Sequence, residues 1–270
     1  PYKFLDAFEK EDYQIFFGRE REVEEVHSRL FYGNLLVLYG ASGTGKTSIL
    51  KCGLYNKIPE SDWKPVIIRR KQNIIDSIGS ELNKLAITPL KEDHDINKKL
   101  HSIYLDYLTP IFMIFDQLEE LFIFGSKREK QDFVDIISRI KKDPEKNIKM
   151  IFVIREEFLA NLSIFETHLP HILDNRYRIE QMGHSHLLEV IDRPAEVCGV
   201  HLDEGFAEKA IEKISDDKGN AELTYIQVLM DHLYKVAESR NPAEIRISID
   251  DLNQLGHLGN LMSKFLDEQL

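Results

Sequence analysis

A glycine-rich turn between an apolar run and a helix-permissive segment is the part of the sequence most able to do chemistry. The apolar run Leu35–Tyr39 ends at Gly40, and the sequence Gly-Ala-Ser-Gly-Thr-Gly-Lys-Thr occupies residues 40–47. This is the spacing of a phosphate-binding loop, in which backbone N–H groups surround phosphate oxygens. We therefore expect the protein to bind a nucleoside triphosphate.

Each residue type in this loop has a physical role. Glycines let the backbone curl toward a ligand, and the helix that follows adds N-terminal amides and a dipole that attract anions. Lys46 is expected to reach the β- and γ-phosphates, and the Thr47 hydroxyl to coordinate Mg²⁺. The predicted nucleotide contacts of the loop are Gly40, Ser42, Gly43, Thr44, Gly45, Lys46, Thr47 and Ser48.

A second polar signature follows another apolar run. Ile111–Phe115 lead into Asp116, and ligands bind where parallel strands end at their carboxyl edge. We expect Asp116 to hold a magnesium-bound water beside Thr47. A hydrolase also needs a carboxylate that orients and polarises the attacking water, and either Glu119 or Glu120 can serve. Their spacing does not decide between them.

Two basic segments follow other strand-like runs. Arg155 comes directly after Met150–Ile154. Its guanidinium could sense the γ-phosphate, bind a catalytic carboxylate, or form a structural ion pair with Glu156 or Glu157. The basic run at residues 69–71 is interpreted as part of an exposed loop.

Composition limits the partners and the compartment. The 270 residues include 43% hydrophobic residues, enough for one large α/β domain and a smaller one. With 35 basic and 46 acidic residues the net charge is −11, so binding to nucleic acid is not expected. Cys52 and Cys198 have no metal-ligand spacing, which favours a reducing cytoplasm. No apolar run approaches the about 20 residues of a membrane span.

Strand-like runs alternate with helical patterns over the first two thirds of the chain. This alternation predicts a parallel sheet covered by helices on both faces, a three-layer αβα arrangement. The predicted strands are Leu35–Tyr39, Pro65–Arg69, Ile111–Asp116, Met150–Ile154 and Tyr177–Glu180. The predicted helices between them are Thr47–Lys57, Ile74–Leu85, Ile96–Leu108 and Glu129–Lys141.

Beyond about Arg178 the strands are expected to stop. Helical patterns cover Ser185–Ile191, Gly205–Ser215 and Leu223–Ala237, and the Arg-Pro pair at residues 193–194 is interpreted as a break between helices. We predict a nucleotide-binding domain at residues 1–180. A helical domain is expected at 181–270, with the start of a further helical or winged-helix region.

Together these segments resemble the STAND class of P-loop ATPases, in particular the group called novel STAND NTPase 1. The Walker A element is at residues 40–47, and Phe115-Asp-Gln-Leu-Glu-Glu-Leu-Phe122 resembles the Asp-Gln-Phe-Glu-Glu-Leu-Phe Walker B block of the group. Ile154-Arg-Glu-Glu-Phe158 resembles its Leu-Arg-x-x-Phe motif, which makes Arg155 similar to a sensor arginine. Residues 191–195 and 255–260 resemble its lid and later motifs.

The resemblance also implies how the base is held. Phe16-Phe-Gly-Arg-Glu-Arg-Glu22 resembles the N-terminal motif of the family, so Phe17, Gly18 and Arg19 are expected to bind adenine. Aromatic rings can pack on a purine face, and a glycine lets the backbone approach the base. The implied cofactors are ATP or ADP with Mg²⁺.

One departure concerns the helical lid that the resemblance implies. Relatives carry Leu-Pro-Leu-Leu-Gln where this chain has Leu223-Thr-Tyr-Ile-Gln227. In related ATPases a lid proline near this point contacts the nucleotide. Thr224 or Tyr225 therefore makes a different contact with the nucleotide or none.

Proteins of this class are signalling switches, and many bacterial ones are implicated in anti-phage defence. The resemblance implies an ADP-bound resting monomer and an ATP-bound form that oligomerises after a sensor domain meets its trigger. Expected partners are therefore the sensor and effector domains of a longer chain and further copies of the protein. The start at Pro1 without Met and the helix-like end at residues 261–270 fit a segment of such a chain.

Three other functions are compatible with a phosphate-binding loop. An AAA+ ATPase of the origin-recognition type shares the core and lid, but the acidic balance and Gln117 after Asp116, where that class has glutamate, count against it. A small-molecule kinase would need an acceptor-binding motif. A nucleotide-bound scaffold without turnover would not need Glu119 and Glu120.

Overall fold

The structure is a computed structural model that describes residues 1–91, 95–142, 147–215 and 221–255. Its strands are β1 (Leu35–Gly40), β2 (Lys64–Ile68), β3 (Ile111–Phe115), β4 (Ile148–Arg155), β5 (Arg176–Arg178), β6 (His201–Leu202) and β7 (Arg246–Ile247). Its helices are α1 (Glu20–Arg29), α2 (residues 46–57), α3 (Ile74–Leu85), α4 (Ile96–Tyr107), α5 (Glu119–Phe124), α6 (Lys127–Lys141), α7 (His184–Val197), α8 (Phe206–Ile214), α9 (Leu223–Arg240) and α10 (Ile249–Gln254). Lys10–Ile15 and Glu156–Phe165 are 3₁₀-helical.

The described chain forms two compact units. The sheet unit comprises Glu24–Ser42 and Leu54–Ile179, and the helical unit comprises Pro1–Val23, Gly43–Gly53 and the described residues from Glu180 onward. The division into domains 1–180 and 181–270 stays a prediction. The last motif, at residues 255–260, and the helix-like end of the chain lie largely outside the described residues.

The sheet unit is built on five parallel strands in the order β2-β3-β4-β1-β5. All residues of β3 and nearly all of β1 and β4 are buried, as expected for strands covered on both faces. The predicted parallel α/β sheet is confirmed, and each of its five strands begins and ends within two residues of the predicted bounds.

Side-chain caps start three helices of the sheet unit, α3, α4 and α6. The Asn73 side chain accepts from two N–H groups of α3, Asp95 caps α4, and Ser126 accepts from the Glu129 N–H in α6. Such oxygens satisfy N–H groups that have no partner within a helix. These short polar residues therefore fix where each crossover helix begins.

Four phenylalanines form the centre of the sheet-unit core. Phe133 of α6 packs against Phe115, Phe152 and Phe165, and the ring centroids of the contacting pairs lie 5.2–5.9 Å apart. These separations are in the range that favours edge-to-face and tilted aromatic contacts. The cluster joins β3 and β4 to the helix that covers them.

The helical unit has its own core, in which α7 continues through Pro194. The predicted break at this proline was wrong. Pro194 removes the N–H that would donate to the Val190 carbonyl four residues earlier, and it is itself buried in this core, whose packing supports the helix. The Tyr2 hydroxyl donates to the adjacent Ile191 carbonyl at 2.7 Å. Burial, with a smaller effect of Asp192, raises the pKa of Tyr2 above its usual range. A donor so distant in the sequence cannot be recognised from a local pattern.

Strands do not stop near residue 178, which corrects a second expectation. His201–Leu202 pairs in parallel with Arg246–Ile247 in a separate two-stranded sheet. Segments of this length carry no alternation by which a strand is recognised. Within the described ranges, none of the helices combines the length and hydrophobicity that a bilayer span requires.

Helix α2 contains a π-helical segment at Ile49–Leu54 between α-helical turns at Lys46–Ser48 and Tyr55–Lys57. Cys52 lies in this segment and is fully buried. Burial, reinforced by the carboxylates of Asp12 and neighbouring acidic residues, raises the pKa of the Cys52 thiol to about 12. The thiol is therefore neutral at physiological pH and packs as a buried structural side chain.

The aromatic cluster makes a testable contribution to stability. Phe133→Ala should lower the free energy of unfolding by about 3–5 kcal/mol, because it leaves a cavity among rings that cannot collapse around it. Phe124→Ala is the matched control, since Phe124 is 67% exposed and its loss should change stability by about 0.5 kcal/mol or less. Urea denaturation followed by far-UV circular dichroism measures both. Equal shifts for the two variants would contradict this account of the core.

Candidate functional site

The glycine-rich loop has the backbone conformation that its sequence predicts. Gly43 and Gly45 have φ of 73° and 84°, a region that side chains disfavour. Gly40, expected to share in this curl, is instead the last residue of β1 and lies in register with Arg155. Helix α2 begins at Lys46, directly after the left-handed Gly45, so the first amides of the helix follow the turn.

The first residues of α9 contact this loop within the helical unit. A Cβ at Gly43 would overlap the Thr224 hydroxyl oxygen, and one at Gly45 would lie 3.8 Å from Leu223 Cδ2. Thr224, the residue that stands where relatives have a lid proline, therefore does contact the phosphate loop. Whether it contacts the nucleotide stays a prediction.

The Arg19 side chain points into the protein. It is 2% exposed, and one guanidinium nitrogen donates to the carbonyls of Thr44 and Glu180 at 2.9 and 3.0 Å. The other terminal nitrogen pairs with Glu22. Arg19 thus holds the loop backbone at Thr44, which sequence reasoning did not anticipate, and direct contact of Arg19 with adenine stays a prediction.

Phe17 and Gly18 lie on one face of α7. Gly18 has a φ of 77°, and a Cβ there would come within 3.2 Å of both the His186 carbonyl and Val190. The Arg193 guanidinium lies over the Phe17 ring, 4.6 Å from its centroid. Residues 186, 190 and 193 share a helix face, so the N-terminal motif is fixed by backbone approach and by a cation–π contact.

In the sheet unit, the backbone directly after β3 changes the strand to which its N–H groups donate. The Asp116 N–H donates to the Ile68 carbonyl of β2, whereas the Leu118 N–H donates to the Val153 carbonyl of β4. In a regular strand, with its period of two, both would face the same neighbour. Gln117, with a φ of 58°, produces the change through a left-handed turn that is costly for a non-glycine residue.

The turn at Gln117 places Glu119 beside Arg155. The buried Glu119 carboxylate accepts from the Arg155 N–H at 3.3 Å and pairs with the Arg155 Nε at 3.1 Å. Of the roles considered for Arg155, binding a carboxylate is the one observed, and its side chain remains 49% exposed. The two glutamates therefore differ: Glu119 is buried at the ends of β3 and β4, and Glu120 is only half-buried.

Asp116 is also bound by an arginine. Arg69 Nε and Nη2 donate to Asp116 Oδ2 at 2.9 and 2.6 Å, and Arg70 pairs with the buried Glu129 at 2.9 Å. The basic run does lie in a loop, with Arg69 and Lys71 exposed as expected, but its two arginines also bind buried carboxylates, which the sequence interpretation missed. The pairing of Ile68 with Phe115 places the residues that follow them side by side, so knowing the strand order would have revealed the contact.

Solved ATPases share this fold. The Walker-type ATPase Paby2304 of Pyrococcus abyssi has a TM-score of 0.61 at 16% identity, over 99% of this chain and 79% of that one. For ORC2 of Aeropyrum pernix, solved as ADPNP–ADP complexes, the TM-score is 0.64 at 13% identity, over 87% and 67%. For ORC1 of the same organism, in complex with DNA, it is 0.61 at 17%, over 89% and 65%. The predicted α/β P-loop NTPase fold is confirmed.

Sequence comparison identifies the family. No protein of curated function matches the chain. The family model described as nSTAND1, novel STAND NTPase 1, matches residues 1–268, which include the phosphate loop, the Walker B block and the Ile-Arg-x-x-Phe motif. The resemblance drawn from these motifs is confirmed. The chain belongs to the novel STAND NTPase 1 family of P-loop ATPases.

Proposed function

We propose that this ATPase is the nucleotide-driven switch module of a larger signalling protein, with slow, regulatory hydrolysis of ATP. The observation that carries the chemical part is the pair of carboxylates at the ends of β3 and β4. Asp116 and Glu119 are both buried, and each is bound by an arginine. A buried, oriented carboxylate at the carboxyl edge of a P-loop sheet suits the activation of water.

In this proposal the loop and its lysine bind the phosphates. The amides of residues 43–48 surround the phosphate chain, and Lys46 neutralises the β- and γ-phosphates. Thr47 and Asp116 would hold Mg²⁺, since a hydroxyl and a carboxylate are the hard oxygen donors it prefers. When bound, the ion would offset the charge that develops on the phosphates. Phe17 and Gly18 would hold adenine.

Glu119 is the general base in this proposal. Its carboxylate takes a proton from water as the oxygen forms a bond to the γ-phosphorus, and the bond from that phosphorus to the β–γ bridging oxygen breaks, giving ADP and phosphate. Arg155 orients the carboxylate through its backbone N–H and its guanidinium. The exposed part of its side chain lets the guanidinium respond to a γ-phosphate.

The two glutamates provide a matched test of this assignment. Glu119→Gln should lower ATP turnover by about 100-fold or more while retaining ATP affinity, because the amide cannot accept the proton. Glu120→Gln has the same change of charge and should stay within about threefold of the unmodified protein, as expected for a residue outside the chemistry. Phosphate release and calorimetry with ATP measure the two properties. The opposite order would assign the base to Glu120, and undiminished turnover in the double variant would exclude both.

Membership of this family supports a switch that depends on the bound nucleotide. ADP would accompany a resting monomer and ATP an oligomer that activates an effector. Differential contacts with a γ-phosphate, of about 1–3 kcal/mol in coupled systems, suffice to shift a balanced equilibrium. Anti-phage defence is the setting that we propose, and phage plating on cells with and without the full-length protein tests it.

The switch itself can be tested on this chain. Glu119→Gln protein loaded with ATP should differ in scattering profile or molar mass from the same protein loaded with ADP, because only ATP supplies γ-phosphate contacts. Small-angle scattering coupled to chromatography gives both quantities. Lys46→Ala protein mixed with either nucleotide is the control and should give one profile. Identical profiles for the loaded variant, with occupancy confirmed, would contradict a switch within these residues.

DNA loading of the origin-recognition type is the weaker proposal. Its support is likeness of fold alone, at 13–17% identity. The net charge of −11 opposes the electrostatic attraction on which non-specific DNA binding depends. DNA binding by this chain with a steep salt dependence would favour it over a signalling switch.

A further inference from the structure

The ion pair between Arg69 and Asp116 involves the carboxylate that the proposed function gives to Mg²⁺. Two N–H groups of one guanidinium donate to the same carboxylate oxygen, Asp116 Oδ2, at 2.9 and 2.6 Å. Hydrogen bonds between two charged groups are among the stronger ones in proteins. Any other group that binds this carboxylate must therefore compete with the hydrogen bonds from Arg69.

The backbone fixes this pair. Ile68 and Phe115 are partners in the parallel ladder of β2 and β3, and the Asp116 N–H donates to the Ile68 carbonyl at 3.0 Å. Arg69 and Asp116 directly follow the last residues of the two strands, so their side chains leave the sheet at the same point. The pair thus depends on strand register more than on a flexible loop.

The two partners differ sharply in exposure. The Asp116 side chain is 2% exposed and that of Arg69 is 44% exposed. A buried carboxylate needs a compensating positive charge, because burial of an unpaired charge is costly. The arginine, in contrast, can move toward water without uncovering a buried charge, because 44% of its side chain is already exposed. The same carboxylate can therefore exchange one cationic partner for another.

We infer that Arg69 is a positioning residue that competes with the divalent cation for Asp116. Without metal, Arg69 compensates and orients the buried carboxylate. A cation bound at Asp116 brings its own positive charge, so it weakens or displaces the guanidinium by repulsion and by direct competition for the oxygen. Arg69 thereby raises the concentration of Mg²⁺ that the nucleotide complex requires. This inference rests on the proposed role of Asp116 in binding Mg²⁺.

Removal of the guanidinium tests this competition. The measurement is calorimetric affinity for a non-hydrolysable ATP analogue at stepped concentrations of free Mg²⁺, which gives the Mg²⁺ concentration of half-maximal enhancement. Arg69→Gln should lower that concentration about three- to tenfold, the range for loss of a charged hydrogen-bonded pair that is partly exposed. It should also lower the melting temperature of the metal-free protein, because the buried Asp116 loses its ion pair with Arg69.

Two further variants make the result interpretable. Lys71→Gln removes the same charge two residues away, from a side chain that is 66% exposed, and should leave the half-maximal Mg²⁺ concentration unchanged. Arg69→Lys keeps a positive charge without the paired donors and should give an intermediate value. If Arg69→Gln does not fold, Arg69→Lys decides the question alone.

The outcomes separate this inference from the proposal beneath it. An unchanged or raised half-maximal Mg²⁺ concentration in both Arg69 variants would overturn the competition. If Asp116→Ala abolishes the Mg²⁺ enhancement while the Arg69 variants change nothing, the metal role of Asp116 stands and only the inference fails. If Asp116→Ala also leaves the enhancement unchanged, the proposed metal role of Asp116 is wrong, and the competition with Arg69 is wrong with it.

Discussion

The parallel register of β2, β3, β4 and β1 is the constraint on which the chemistry of the sheet unit depends. It brings Gly40, Asp116 and Arg155 to strand ends on one edge, although more than a hundred residues separate the first from the last. Apolar residues dominate these strands because both faces are covered. Charged side chains therefore lie mainly at the strand ends, which explains why Asp116 and Arg155 come to the same edge of the sheet.

Left-handed backbone conformations, which side chains disfavour, also shape the candidate site. In the helical unit, left-handed glycines curl the phosphate loop, and in the sheet unit a left-handed Gln117 redirects the chain so that Glu119 is beside Arg155. Such positions cost about 1–3 kcal/mol for a residue other than glycine. The buried hydrogen bonds that follow Gln117, including that from Leu118 to the Val153 carbonyl, offset this cost.

Sequence reasoning succeeded where a signal is local and failed where it depends on pairing. The five strands of the large sheet and the helix at Ile74–Leu85 follow from periodicity, and the left-handed turns at Gly43 and Gly45 follow from the glycine pattern; these features are confirmed. The contact of Arg69 with Asp116 needs the strand order, and continuation of a helix through Pro194 depends on packing within the core of the helical unit. The burial of Glu119 beside Arg155, on which its proposed role as base rests, depends on the left-handed conformation of Gln117, which no residue pattern specifies.

The central claim is that the loop at residues 40–47 binds a nucleoside triphosphate through Lys46. Calorimetric titration of ATP and ADP into the unmodified protein and into Lys46→Ala, both shown to be folded by circular dichroism, tests it most directly. The account predicts binding by the unmodified protein and an affinity at least about tenfold weaker in the variant, as expected for loss of a charge-assisted contact. Affinities for both nucleotides within a factor of about two would contradict the assignment of the loop.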